Sequence, residues 1–380
     1  MKKILFSVHY GDSIAHVIRT RKVAQYLLQK SYDIAYSVPI KALPFLKNHI
    51  PEQAIRINDQ NYSYAQFSAI SDILLKYYQH ALNEYKIYRY YKPDIIIGDT
   101  GLIAHTYKPE IPFLKILNRF YIELDGDSYD SPYSKNQKEI IRLQVEYLVN
   151  QIRLRFNKSN DFTYHEFAKP PAIVNGSSYF TKDIPSSYKF AGINMALSSK
   201  NHLNSNYKIC FAAFGTGLSP DLVEFTSKIL IKIEPYFEKI YVSYGTKIDK
   251  NELYQPKNSI MRPLFDKIPS DIGVIICHGG WGTIHLGINI GVPIIAIPFQ
   301  IEQYSNAYHI EKIGVGSNVC FWENSDFHGL YDRPLLNWDK FNETLDNLSK
   351  KRKRKKLKDE LYLNNRDLLT EYIEDFITNN

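Results

Sequence analysis

Twice along this chain, a short apolar run of strand length is followed by a polar or glycine-rich loop and then by residues with helical spacing. The first series begins with KILFSV at the N-terminus, and the second begins with KICFAAFGTG at Lys208. Strands that alternate with helices form parallel sheets with helices packed on their faces. The pattern therefore predicts an α/β chain with two doubly wound domains in tandem.

The segment between the two series predicts where the first domain ends. NMALSSKNHLNSNY is rich in Ser and Asn and has no period, which is typical of a linker. We expect an N-terminal Rossmann-like domain over residues 1–195, a linker over 196–206 and a C-terminal domain over 207–351. Residues 352–380 would hold a basic segment and a final amphipathic helix.

Composition and charge exclude several classes of protein. Hydrophobic residues make up 44% of the 380 residues and charged residues 23%, which excludes a disordered or collagen-like chain. Much of the net charge of +7 is local, because the run from Lys350 to Lys358, KKRKRKKLK, is almost entirely basic. A basic face for nucleic acid is therefore not indicated. The run is either a solvated segment or a contact with anionic phospholipid.

The cysteines and the N-terminus indicate a compartment. Cys210, Cys277 and Cys320 are far apart and form no CxxC pair, which predicts a reducing cytoplasm, no disulfide and no zinc site. MKKILFSVHYGD begins like a signal peptide, but its apolar core ends at Val8, so we interpret it as the first strand. No apolar run reaches the roughly 18 residues that span a bilayer. We expect a cytoplasmic monomer or weak dimer, at most peripheral at the inner membrane face.

The most informative stretch is CHGGWGTIHLG, which lies between a predicted strand, DIGVII, and a predicted helix. Gly279, Gly280 and Gly282 allow the backbone to approach a bulky anion, and the helix N-terminus attracts negative charge. His278 would add an N–H donor, and Thr283 could cap the helix. These residues predict a diphosphate site without a metal. The spacing is neither GxGxxG nor a Walker motif, which disfavours dinucleotide oxidoreductases and P-loop NTPases.

The continuation, GVPIIAIPFQIEQYSNAYHIEKIGVG, adds groups suited to a sugar. Pro298 ends a predicted strand at the sheet edge where ligands bind. Glu302 and Gln303 then present a carboxylate and an amide side by side, a pair that can bind adjacent hydroxyls. Asn306 follows on the next predicted helix.

Together these segments closely resemble the donor-site signature of the GT-B glycosyltransferases of the UDP-glycosyltransferase superfamily, which includes the bacterial macrolide, glycopeptide and sterol glycosyltransferases. The family pattern HGGxGT, GVPxxxxP, D/E-Q and NA is matched in register over about forty residues. The resemblance implies two Rossmann-like domains facing a central cleft, with the last helix crossing back to the first domain. It also implies a set of donor-binding residues: Gly215, Thr216, His278, Gly279, Gly280, Trp281, Gly282, Thr283, Glu302, Gln303 and Asn306.

The roles implied by the resemblance follow the donor. His278 and the glycine and threonine amides would hold the diphosphate, while Trp281 would fill the core side of the turn or wall the nucleotide pocket. Leu286 stands where plant-type members carry a glutamate that binds the ribose hydroxyls, which is compatible with a dTDP-sugar and does not exclude UDP. We favour a UDP-sugar as co-substrate, with no cofactor and no metal.

The resemblance also implies an inverting transfer to a hydroxyl, assisted by a base in the loop after the first strand. IAHVIRTRKVA resembles the GHxxR form of this loop, with Ala15 in place of the glycine, His16 as the base and Arg19 as the arginine. Asp99, at the end of DIIIGD, is the expected partner of His16, although it could instead cap the next helix. Asp12 and His9 are the alternative bases.

Other signals leave the acceptor and two other functions open. Asp125 and Asp127 form an Asp-x-Asp pair like that of metal-dependent transferases, but their polar context favours an acceptor loop or a solvated turn. A hydrophobic small molecule or lipid is the first expectation for the acceptor, and a glycan intermediate the second. The alternatives are a sugar-nucleotide 2-epimerase of the same fold and a non-catalytic sugar-nucleotide-binding protein.

Overall fold

The chain divides into two compact units. In the computed structural model, unit 1 comprises Met1–Asn194 together with Arg366–Asn380, and unit 2 comprises Met195–Asn365. The predicted linker, 196–206, and the basic run, 350–358, lie outside the described residues. The structure describes residues 1–8, 14–58, 70–176, 183–191, 207–215, 222–265, 268–323, 327–330, 332–348 and 368–380.

Unit 1 is built on a parallel sheet of seven strands. The strands are β1 (Lys3–Val8), β2 (Asp33–Val38), β3 (Ile55–Ile57), β4 (Ile95–Asp99), β5 (Phe113–Leu117), β6 (Ala172–Val174) and β7 (Lys189–Phe190). Their order in the sheet is β3-β2-β1-β4-β5-β6-β7. From β1 to β3 each new strand is added on one side of β1, and from β4 to β7 each is added on the other side. The direction of strand addition therefore reverses between β1 and β4. This is the switch point at which doubly wound sheets bind ligands.

Helices cover both faces of this sheet. They are α1 (Ile14–Gln29), α2 (Ile70–Tyr91), α3 (Leu102–Tyr107), α4 (Arg119–Glu123), α5 (Lys135–Arg155), α6 (Tyr164–Ala168) and α11 (Leu368–Asn379), with short 3-10 helices over Ile40–Phe45 and Glu52–Ala54. Alternate residues of β1 point to opposite faces, so Phe6 packs with α1 and Leu5 packs with α2, α3 and α5.

The last helix, α11, packs on the first unit. Leu369, Ile373 and Ile377 are buried in the same apolar core as α1 and β1. At its polar side, Glu374 accepts a hydrogen bond from the Tyr26 hydroxyl at 2.6 Å. The C-terminal residues are therefore part of the first unit, although the chain of unit 2 precedes them.

Unit 2 repeats the plan with six parallel strands, ordered β10-β9-β8-β11-β12-β13. The order reverses between β8 and β11, which places a second switch point there. The strands are β8 (Ile209–Ala213), β9 (Lys239–Ser243), β10 (Ser259–Arg262), β11 (Val274–Cys277), β12 (Ile294–Ala296) and β13 (Gly316–Asn318), with a small antiparallel pair, β14 (Cys320–Phe321) and β15 (Leu335–Leu336).

The core of unit 2 is also two-sided. One face of the sheet packs against residues of α7 and α10, such as Ile229 and Phe341. On the other face, α8 lies so close that a Cβ on Gly287 would be 2.6 Å from the side chain of Ile294. The helices are α7 (Val223–Ile233), α8 (Trp281–Ile290), α9 (Ile301–Lys312) and α10 (Trp338–Asp346), with 3-10 helices over Glu234–Tyr236 and Lys250–Glu252.

The prediction of two α/β units with parallel sheets is confirmed. Over the described part of the chain, no helix combines the length and the apolar character that crossing a membrane requires.

Candidate active site

The switch point of unit 1 brings together three side chains from two elements. His16 and Arg19 lie one turn apart on α1, and Asp99 is the last residue of β4. His16 Nδ1 lies 2.8 Å from Asp99 Oδ1. Arg19 donates from Nε to Asp99 Oδ2 and from Nη2 to Oδ1. Because β1 and β4 are parallel neighbours, with Val8 opposite Asp99, both strands end at the same edge of the sheet.

Asp99 is an ionised carboxylate inside the protein. It is fully buried, which by itself raises the pKa of a carboxyl, but the charges and hydrogen bonds of Arg19 and His16 outweigh burial and hold the pKa of Asp99 below its usual value. The N-cap of α3 is Gly101, so Asp99 does not cap that helix. The structure therefore brings His16 and Asp99 together as predicted. His9 and Asp12, the alternative bases, lie outside the described residues.

The switch point of unit 2 holds the glycine turn. Gly215 follows β8 and His278 follows β11, the two strands at which the order reverses. Both the backbone N and Nδ1 of His278 lie 3.2 Å from the carbonyl oxygen of Ala213. A carbonyl oxygen only accepts, so Nδ1 carries the hydrogen of this contact. Burial lowers the pKa of His278, which favours the neutral ring.

Two glycines at this switch point, Gly215 and Gly279, combine a positive φ with a close approach. Gly279 has φ of 84°, and a Cβ there would lie 2.8 Å from the backbone oxygen of Gln303. Gly215 has φ of 82°, and a Cβ there would lie 2.8 Å from the His278 ring. A side chain at either position would therefore meet both backbone strain and a steric clash. Thr216, the other predicted residue of the β8 loop, lies outside the described residues.

The expectation that Thr283 caps α8 is wrong. The helix begins at Trp281 with Gly280 as its N-cap, and Thr283 is its third residue. Gly280 takes the cap because its backbone is extended and its carbonyl accepts from the amide of Thr283 at 3.1 Å. Among the described residues, no side chain caps this helix, so its N-terminus keeps the positive end of the dipole for an anion.

Trp281 lies on the core side of the turn. Its ring is 5% exposed and packs 4.8 Å from the ring of His285, which is also buried. Leu286, the position of the glutamate in plant-type members, is likewise buried. Of the two roles considered for Trp281, filling the core agrees with this burial.

The predicted sugar-binding residues lie at the start of α9 and differ in exposure. Glu302 and Gln303 are half-buried in its first turn. The side-chain oxygen of Gln303 accepts from the amide of Phe299 at 2.9 Å, which fixes the direction of this amide group. Asn306 is fully buried and donates to the carbonyl oxygen of Gly279 at 3.0 Å. Asn306 therefore holds the glycine turn in place, and its contact with a donor stays a prediction.

Known proteins resemble this chain along most of its length. A model of the glycosyltransferase family 28 C-terminal domain matches residues 210–361. The NDP-glycosyltransferase YjiC of Bacillus subtilis (strain 168) is 20% identical over 83% of this chain and 84% of that protein. The solved structure of the glycotransferase of kitacinnamycin covers 98% of both chains with a TM-score of 0.66 and 15% identity. The chain therefore has the GT-B fold, and its second unit matches a glycosyltransferase domain.

Other GT-B relatives are similar over different lengths. Beta-D-glucosyl crocetin beta-1,6-glucosyltransferase of Gardenia jasminoides is 40% identical, but only over 55 residues, 14% of this chain and 12% of that protein. The structure of the Streptomyces sp. SF2575 glycosyltransferase SsfS6, complexed with thymidine diphosphate, covers 99% of this chain and all of its own, with a TM-score of 0.55 and 13% identity. At such identities the solved structures establish the GT-B fold alone.

The acidic pair of this GT-B chain is occupied by basic partners. Asp125 accepts from His165 Nδ1 at 2.8 Å, and Asp127 lies 3.0 Å from Lys135 Nζ. Across the described ranges, no group of three His, Cys, Asp or Glu side chains could hold a metal ion. The interpretation of the pair as part of a polar loop agrees with these contacts.

Sequence reasoning missed two contacts that shape these sites. Arg19 was identified only as a motif position, although its side chain binds both oxygens of Asp99. The hydrogen bond of Asn306 to the backbone of Gly279 was not predicted. A signal existed for the first, since an arginine one turn after a histidine shares its helix face. No sequence signal existed for the contact of Asn306, because the polar and apolar residues of α9 do not separate onto two faces.

Proposed function

We propose that this glycosyltransferase moves a sugar from a nucleoside diphosphate to an acceptor hydroxyl with inversion and without a metal. The observation that carries the mechanism is the contact between His16 and the buried, ionised Asp99 at the switch point of unit 1. An imidazole oriented by a carboxylate is a general base suited to neutral pH. The glycine turn of unit 2 supports the donor half of the proposal.

The chemistry assigns each group one step. With Nδ1–H directed at Asp99, His16 Nε2 takes the proton of the acceptor hydroxyl. The acceptor oxygen forms a bond to the anomeric carbon as the bond from that carbon to the diphosphate oxygen breaks. The electron pair leaves with the nucleoside diphosphate, whose negative charge is stabilised by the N-terminus of α8 and the amides of the glycine turn. Attack opposite to the leaving group inverts the anomeric configuration.

The donor is proposed to be a UDP-sugar, with a dTDP-sugar as the alternative. Two observations support the alternative: a buried Leu286 offers no carboxylate to ribose hydroxyls, and a relative of this fold was solved with thymidine diphosphate. The acceptor is proposed to be a hydrophobic small molecule, a lipid or a glycan intermediate.

The first test is a thermal-shift panel of UDP-, dTDP- and GDP-sugars with and without EDTA. A ligand at a hundred times its dissociation constant stabilises by about 2.7 kcal/mol. A shift with one nucleotide class that survives EDTA and is lost in His278→Ala supports the donor site. A shift that EDTA abolishes would overturn the proposal of a metal-free donor site.

The second test addresses inversion. The protein is incubated with the donor identified by the panel and an acceptor mixture, and the anomeric configuration of the product is read by proton NMR. An α-configured donor should give a β-configured product, and His16→Ala should lose most of the rate while keeping the thermal shift. Retention of configuration would refute the mechanism, whereas conversion of the donor sugar without transfer would favour an epimerase.

A further inference from the structure

Arg19 lies at the centre of the His16–Asp99 site, and its contacts go beyond those of a surface ion pair. Its side chain is 8% exposed, and it binds Asp99 through two nitrogens, Nε to Oδ2 and Nη2 to Oδ1. A bidentate guanidinium–carboxylate pair fixes the plane of the carboxylate as well as its charge. Because Asp99 is fully buried, the direction of its oxygens is set mainly by this pair.

The tautomer of His16 depends on which partner Nδ1 meets. Nδ1 lies 2.8 Å from Asp99 Oδ1 and 2.7 Å from Arg19 Nη2, and Nη2 also contacts Oδ1. A carboxylate oxygen only accepts and a guanidinium only donates, so Oδ1 requires the ring hydrogen on Nδ1, whereas Nη2 would require the lone pair there. When Nε and Nη2 of Arg19 both donate to Asp99, the ring hydrogen faces Oδ1 and the lone pair is on Nε2.

The charges lead to the same conclusion. A buried carboxylate beside a histidine favours the imidazolium, which cannot act as a base. The guanidinium of Arg19 balances the carboxylate, so that the pair of Arg19 and Asp99 is neutral before His16 takes a proton. We propose that Arg19 is a positioning residue that keeps His16 as a neutral base with its lone pair on Nε2. This inference rests on the proposed function of His16.

The other titratable groups near the site do not replace Arg19. Tyr36 of β2 is hydrogen-bonded to Thr20, and burial raises its pKa, so it stays neutral. Arg21 donates to the backbone oxygen of Phe45 at 2.7 Å, on the side of the short helix that follows β2. At the far end of α1, Glu374 of α11 pairs with Lys30. Arg21 therefore serves as a matched control on the same helix.

The test compares Arg19→Gln, Arg19→Lys and the control Arg21→Gln in the full chain. For each variant, kcat/KM for transfer is measured from pH 5.5 to 9.5, and the protonation and tautomer of His16 are followed by nitrogen NMR of the imidazole. Arg19 carries the same charge as a protonated His16, and a like charge at contact distance disfavours protonation, so its loss should raise the pH at which His16 takes a proton. In Arg19→Gln we therefore expect the acidic limb to move up by at least about one pH unit, a tenfold change in proton affinity.

The other two variants separate the effect of the bidentate geometry of Arg19 from the effect of its charge. Arg19→Lys keeps the charge without the bidentate geometry, so it should leave the acidic limb nearly in place and lower kcat more than it raises KM. Arg21→Gln should match the wild type in both respects. If Arg19→Gln does not fold, as judged by circular dichroism, Arg19→Lys and the NMR tautomer decide the matter.

Failure of this inference can be distinguished from failure of the proposed function. A uniform loss of rate in Arg19→Gln with an unchanged pH profile and an unchanged His16 titration would overturn the inference alone. Full activity of His16→Ala would overturn the proposed base. Even then, the NMR titration of His16 would show whether Arg19 controls its protonation.

Discussion

Replacement of Gly279 by alanine is the sharpest test of the glycine turn. At φ of 84° an L-residue pays about 1–2 kcal/mol for the left-handed conformation. The new Cβ would also lie 2.8 Å from the backbone oxygen and 3.3 Å from the Cβ of Gln303, so α9 or the turn must move. Overpacking of this kind typically costs about 1–3 kcal/mol. The total expected loss of stability is therefore about 2–5 kcal/mol.

Gly314 provides a matched control in the same unit. Its φ is 77°, and no described atom lies within 4 Å of the position that its Cβ would take. Gly314→Ala should therefore cost only the backbone contribution, about 1–2 kcal/mol. Both variants are compared with the wild type by thermal unfolding, where 1 kcal/mol corresponds to about 2–4 °C for a unit of this size.

The two variants should also differ in donor binding. Movement of the turn would displace the amides that are proposed to bind the diphosphate, so Gly279→Ala should lose the thermal shift with a sugar nucleotide, and Gly314→Ala should keep it. Equal stability losses for the two variants would show that a Cβ at position 279 fits beside Gln303 without a steric cost. Normal donor binding in Gly279→Ala would refute the role of the turn.

Three further predictions concern other parts of the chain. Burial raises the pKa of Glu84 to about 7, so its contribution to stability is complete at acidic pH and is lost as pH rises through 7. The free energy of unfolding should therefore fall by about 3 kcal/mol at most between pH 5 and pH 8, measured by urea unfolding, and Glu84→Gln should remove this dependence. Ile373→Ala should destabilise unit 1 by about 2–5 kcal/mol in calorimetry, because this side chain of α11 is fully buried, whereas the exposed Glu371→Ala should change little. A neutral His278, with Nδ1–H on Ala213, can donate to phosphate only after Nε2 gains a proton, so calorimetry in buffers of different ionisation enthalpy should show proton uptake on nucleotide binding.

Each of these has an outcome that contradicts it. If the free energy of unfolding of Glu84→Gln depends on pH as it does in the wild type, another group causes the dependence. A calorimetric transition of unit 2 that moves with Ile373→Ala would contradict the packing of α11 on unit 1. Nucleotide binding without proton uptake, or with the same uptake in His278→Ala, would show that this ring does not donate to the phosphate.

The sequence predicted those parts of the site that depend on local signals. Asp99 ends a short apolar run, and parallel strands place their carboxyl ends at one edge, so its proximity to the first loop could be expected. The glycine turn could be expected because few other structures need so many glycines between a strand and a helix. His16 was predicted from a resemblance, since a single histidine has no local signature; it lies in the first turn of α1 and not in the loop where it was expected.

What the sequence did not predict is the residue at which α8 begins and the direction of the Arg19 side chain. Gly280 and Thr283 both fit a helix start, and the start is decided by where β11 ends, at Cys277, which local propensity does not fix. Only its spacing from His16 indicated that Arg19 points inward, because an arginine on α1 is equally stable in water unless it can pair with a buried carboxylate. The inward direction of Arg19 is stabilised by Asp99, which lies 80 residues further along the chain.

The strand order is the step that connects these local features to a site. A series of strand–helix units is compatible with several sheet orders, and only a reversal of direction separates two neighbouring loops enough to admit a ligand. In unit 1 the reversal lies between β1 and β4, so α1 contributes His16 and β4 contributes Asp99. In unit 2 it lies between β8 and β11, so Gly215 meets the ring of His278. The same rule thus accounts for where the proposed base lies in one unit and where the proposed anion site lies in the other.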